Sequence, residues 1–147
     1  MVSRCDDVVL TGWRPTLRRE ARPVRIDPDE LPVTVEFPGY SGKWTTMGDL
    51  HFAFESCAAG SDIDGLISIF PDQACPVEHW GIVYRGKVRV EYTDGTEETF
   101  SAGDTFYVQP GHRPYMLEDT ELLQLTDKQK HADFIRQIAE AGLIPSA

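Results

Sequence analysis

Residues 87 to 101 read KVRVEYTDGTEETFS. This stretch limits the possible folds more than any other. Val88, Val90 and Tyr92 fall on one side of an extended chain and Lys87, Arg89 and Glu91 on the other, because successive side chains of a strand point to opposite faces. Asp94-Gly95 then reverses the chain, since glycine accepts the positive φ of a tight hairpin turn. Similar runs recur on both sides. VTVEF (33–37) alternates Val33, Val35 and Phe37 with Thr34 and Glu36, and KWTTM follows the turn PGYSG. HFAFESC (51–57) alternates too, GLISIF (65–70) is a short apolar run stopped by Pro71, and HWGIVYR precedes the hairpin. GDTFYVQPG (103–111) and ELLQLT (121–126) complete the series. Many short strands separated by turn residues predict an all-β sandwich or barrel.

Both ends break this pattern. Pro15, Pro23 and Pro28 interrupt any helix near the start, so residues 1–30 are expected to form an extended arm, followed by a β-barrel over 31–126. In 127–147 the period lengthens, with Phe134, Ile135 and Ile138 at helical spacing. Thr126 or Asp127 is placed to cap this helix and Gly142 to end it. The apolar stripe is expected on the outside of the barrel or against a neighbouring subunit, with His131 on the solvated side.

With 147 residues, one domain is the expectation, and 41% hydrophobic with 26% charged residues suits a globular protein in water. No apolar run approaches the ~20 residues that span a bilayer. Asp6 and Asp7 stand where an export signal needs apolar residues, and three cysteines (Cys5, Cys57, Cys75) do not make a disulfide scaffold, so a cytoplasmic protein is expected. A net charge of −10 argues against nucleic acid as a partner, because that binding rests on neutralising phosphates. Arg14, Arg18, Arg19, Arg22 and Arg25 crowd the arm, which is read as a solvated segment or a basic contact for a partner.

The segment HWGIVYRGKVRVEYTDGTEETFSAGDTFYVQPGH (79–112) resembles the cupin superfamily, in particular small single-domain cupins with a His-Trp-Gly strand. The resemblance extends over roughly residues 65 to 126 and implies a jelly-roll barrel with its site inside. It also implies a divalent metal held by two histidines and an acid in the first half of the motif and a third histidine in the second. On this chain Gly86, Gly103 and Gly111 match the anchoring glycines, and Gln109 stands where a proline is usual. The histidine pair falls on Asp72 and Ala74, the acid on His79 and the third histidine on Pro114. The standard ligand set is therefore missing.

Other residues can supply chemistry in its place. His79 shares a strand face with Gly81 and Val83, which the resemblance turns inward. Cys75 lies four residues upstream, and His112 follows Gly111. Two imidazoles and a thiolate suit Zn, Fe, Ni or, less typically, Mn. A plain buried histidine, or a metal-free general base partnered by Glu55 or Glu78, fits His79 as well. Cys75 beside His79 also admits a nucleophile. His51 and Glu55 share one parity and line the barrel only if Phe52 and Phe54 face outward; phenylalanines in the core are the expected arrangement. Phe106, Tyr107, Tyr92, Trp80 and Tyr84 offer aromatic surface for a ligand pocket or for packing. The resulting expectation is a small cupin, paired as a homodimer, that binds a small polar metabolite. Its chemistry would be metal-assisted, of the lyase, isomerase or oxygenase kind. A ligand-binding or sensor protein without turnover is the alternative.

Overall fold

The computed structural model describes residues 25–61 and 63–144, with the backbone alone at residue 64. Most of the expected arm lies outside the described residues. Among the described residues, nine strands form two antiparallel sheets: β1 (Val35–Phe37), β2 (Tyr40–Met47), β3 (Leu50–Cys57), β4 (His79–Arg85), β5 (Lys87–Tyr92), β6 (Glu97–Ser101), β7 (Thr105–Val108), β8 (His112–Met116) and β9 (Thr120–Asp127). One sheet has six strands in the order β1-β2-β3-β9-β4-β7, and the other has three, β6-β5-β8. Val83, Val88, Val90, Phe100, Phe106 and Met116 close the space between the sheets. Burying each such side chain contributes roughly 1.5–3 kcal/mol.

The β5–β6 hairpin forms as expected, with Lys87 opposite Ser101 and Gly95 at φ 86°. Asp94 accepts from the Thr96 backbone N–H at 2.9 Å, which closes the turn. Gly86 is required where it stands: it has φ 89°, and a Cβ there would run into the Asp119 carbonyl and Thr120.

Three expectations change. GLISIF is not a strand. Its first part is a single helical turn, α1 (Asp64–Ile67), whose Ile67 packs with Phe70 in a second apolar cluster. A six-residue apolar run without alternation fits either state, and here contact with the C-terminal helix decides it. Strand β8 was not expected, because Pro114 interrupts it; it is an edge strand, where proline costs no ladder bond. The C-terminal helix α2 (Lys128–Glu140) packs over one end of the barrel rather than along its outside. Asp127 caps it by accepting from the Gln129 and Lys130 N–H groups, and Gly142 (φ 75°) ends it. Ile138 is 1% exposed, and Phe134 stacks on Phe70 at 5.2 Å.

Candidate metal centre and cavity

The inner faces of β3, β9 and β4 are stacked in rungs. The first rung holds His51 opposite Thr126, with His79 beside Thr126 on β4. The second holds Ala53, Gln124 and Gly81; the third holds Glu55, Leu122 and Val83. His51 and Ala53 are buried, so Phe52 and Phe54 lie on the outer face, the reverse of the expected arrangement. Alternation fixes that the two sets part company but not which set faces in. Here His51 stacks on His131 of α2 and Glu55 meets Tyr40, so the polar set has partners inside.

On the first rung three ligand-type side chains converge. Cys75 sits in a loop whose backbone is stitched to the start of β8: its N–H donates to the His112 carbonyl and its carbonyl accepts from Gly111, both at 2.8 Å. This cross-link brings Cys75 to His112. The donor atoms of Cys75, His79 and His112 all lie within 4.8 Å of one another, and all three residues are buried. Cys75 Sγ is 3.5 Å from His79 Nε2 and 3.6 Å from the Val77 carbonyl oxygen. His79 Nδ1 is 2.7 Å from Thr126 Oγ1. His112 Nδ1 donates to the Gln109 carbonyl at 2.6 Å, which leaves its Nε2 with a free lone pair. A ligating histidine has this arrangement, with one nitrogen tied to a neighbour and the other bare. The donor set therefore fits a late transition metal. His112 sits two residues before Pro114, on the same face of β8.

Burial holds the His79 imidazole well below its ordinary 6.5, with the neighbouring histidines adding to the effect, and lowers His112 as well. Both rings are neutral near pH 7, as metal binding requires. Burial raises the Cys75 thiol to about 11, so it is not a ready nucleophile by itself.

Glu55 lies further down the barrel, four residues along β3 from His51, roughly 13 Å at strand rise. Tyr40 Oη donates to Glu55 Oε1 at 2.7 Å, and Trp44 Nε1 donates to Tyr40 Oη at 3.3 Å. Gly42, opposite Glu55, makes room for this chain; a Cβ there would lie 2.6 Å from Trp44 Nε1 and 2.7 Å from Tyr40 Oη. Burial raises Glu55 to about 7, and the Tyr40 hydrogen bond partly offsets it. Glu55 is therefore partnered by Tyr40 and not by His79. Glu78 faces outward, where it accepts from Lys130 Nζ at 2.8 Å and Tyr107 Oη at 2.7 Å.

Between the two levels lies a cavity of about 130 Å³. Its lining includes Cys75, His79, His112, Glu55, His51 and Phe106. Tyr107 does not line it: the ring is on the outer face, tied to Glu78 and 43% exposed. Tyr92 does not line it either; it packs at the edge of the core. Trp80 and Tyr84 are exposed outside. His131 is not solvated. It stacks on His51 with ring centroids 3.4 Å apart, and Trp44 stands edge-on to both rings. Its place was legible, because His131 begins the same helical stripe as Phe134, Ile135 and Ile138.

Two antiparallel sheets closed around a cavity, with three buried side chains of metal-ligand type on its wall, define a β-barrel. The fold is that of the cupins. The structure is similar to KdgF from Halomonas sp. (19% identity, TM-score 0.54, covering 73% of this chain and 94% of that one). It is similar to an RmlC-like cupin from Shewanella frigidimarina NCIMB 400 (15%, TM-score 0.52, 70% and 88%). It is also similar to the iron(II) form of HppE (13%, TM-score 0.51, 71% and 60%). At these identities the likeness establishes the fold alone. No protein-family model and no curated protein matches the chain.

Proposed function

We propose that this protein is a metal-assisted small-molecule enzyme, with Cys75, His79 and His112 as the metal ligands and the guest held between that site and Glu55. The observation that carries the reading is the convergence of three buried donors while each histidine's other nitrogen is already engaged. A divalent transition metal held there supplies Lewis acidity toward a carbonyl or hydroxyl oxygen. The iron(II) in the HppE structure is in keeping with such a site in this fold.

The chain's own groups divide the remaining work. His79 serves as ligand rather than proton shuttle, because burial keeps its ring neutral, Thr126 engages Nδ1, and Nε2 faces Cys75 Sγ, the other donor atom at the proposed metal position. Glu55 exchanges a proton with the guest; at about 7 it is poised near neutrality, as a general acid or base should be. Tyr40 fixes the direction of the carboxyl. Helix α2 keeps bulk water from one end through Phe134 and Ile138. Titration with Co(II), followed by the thiolate-to-cobalt absorption band, tests the ligand set. One equivalent with that band is expected, and its loss is expected in Cys75→Ser and His112→Ala. No band in the wild type would leave a binding protein without turnover as the better account.

Assembly as a homodimer belongs to the same reading. Trp80, Tyr84 and Tyr107 are exposed on the outer face of β4 and β7, where an antiparallel sheet is ordinarily polar. Sedimentation velocity of the wild type against Trp80→Glu tests it: two-copy mass falling to one supports it, and an unchanged mass opposes it.

A further inference from the structure

The chemistry of the cavity wall narrows what the guest can be, an inference that rests on the function proposed above. Among the described residues, none of those lining the cavity is a lysine or arginine. An anionic guest, a carboxylate or a phosphate, would therefore find no side-chain cation, and the charge of the proposed divalent metal is already offset by the Cys75 thiolate that would bind it and by ionised Glu55; burying a further unpaired charge costs several kcal/mol. The one acid on the wall, Glu55, repels an anion whenever it is ionised. Burial already raises this carboxyl to about 7, so the surroundings resist even their own negative charge.

Most of the remaining wall is apolar. Phe37, Val90, Phe100, Phe106, Leu122 and Phe134 face the space, as do several other aliphatic residues. Such surface rewards apolar area on the guest and gives little to a molecule bearing many hydroxyls. Hydrogen-bonding groups are few and sit at defined places: Glu55 with Tyr40, Gln124 on the middle rung, and the Cys75, His79 and His112 cluster. A guest with one or two polar atoms can satisfy them. The volume sets the size. About 130 Å³ is close to the ~150 Å³ apolar cavity that accepts benzene.

We infer that the guest is an uncharged, largely apolar molecule about the size of a single ring, carrying one hydroxyl or carbonyl group. Such a guest is less polar than the metabolite expected from the sequence. Position 53 separates the two polar levels: Ala53 is 3% exposed and lines the cavity, so a larger residue there fills guest space.

Calorimetric titration of the full chain, supplied with one equivalent of Co(II) and held at pH 8, tests this with benzyl alcohol, cyclohexanone and benzoate. Both neutral compounds are expected to bind at least tenfold more tightly than benzoate. Ala53→Leu and Leu122→Phe, checked for folding by circular dichroism, are each expected to weaken the neutral compounds at least tenfold. Benzoate binding as well as the neutral pair would overturn the inference. So would no binding by any of the three, or unchanged binding in a folded cavity-filling variant. Cobalt titration of the same stock keeps the two readings apart. Metal uptake without a preference for neutral guests sinks the guest class alone, and the preference without metal uptake sinks the metal-assisted function alone.

Discussion

Replacing Glu55 by Gln should stabilise the protein increasingly as pH rises. In the folded state the carboxyl titrates at about 7, against 4.5 when free, with burial as the main cause. Between those values the folded state holds a proton that the unfolded state has released, so the wild type loses stability as pH climbs through the window. The displacement from 4.5 to about 7 corresponds to ~3 kcal/mol at 1.36 kcal/mol per pH unit. Glutamine stays neutral and can still accept from Tyr40 Oη. The stability difference, Gln variant minus wild type, should therefore shift toward the variant by about 2–3 kcal/mol between pH 4.5 and pH 7.5. Urea unfolding of both proteins at matched pH values reads this directly, and effects of every other titrating group cancel in the difference. A pH-independent difference, or one that moves toward the wild type, would refute the claim that Glu55 is a buried carboxyl held protonated by its surroundings.

Two further outcomes are expected. Burial lowers His51 from 6.5 to about 4, so the unfolded state takes up a proton first and stability falls as pH drops through that window; His51→Phe should lose about 2–3 kcal/mol of this acid sensitivity between pH 6.5 and pH 4, measured by urea unfolding. Ile138→Ala should cost about 2–4 kcal/mol, because the residue is 1% exposed under α2, and amide exchange should show α2 losing protection before the barrel does.

Local sequence carried the elements whose two sides differ in chemistry. The β5–β6 hairpin shows this best: Val88 and Val90 against Lys87 and Arg89 leave no doubt which face is buried. Strand β3 is the contrary case. His51, Ala53 and Glu55 alternate with two phenylalanines, and apolarity favours the wrong set. Only the partners on other elements, His131, Tyr40 and Trp44, reverse the choice. The Cys75, His79 and His112 set was visible as residue types, yet its geometry rests on the Cys75–His112 backbone bridge across 37 positions, which no local pattern encodes. The cupin-like spacing helped with the barrel; of the candidate donors, His79 stands on the motif's acid position, while Cys75 and His112 stand off the motif's ligand positions. Tyr107 and Phe106 are neighbours in sequence, so only one of them could face the cavity; strand parity settles it for Phe106 through its pairing opposite Gly81.

Metal analysis of the full chain, purified without added ions, bears most directly on the proposed centre. The account predicts close to one equivalent of a transition metal in the wild type and loss of most of it in both His79→Ala and His112→Ala, with Glu55→Gln retaining it. A wild-type protein that neither carries such a metal nor takes one up when it is supplied, or metal retained in full by both histidine variants, would contradict it.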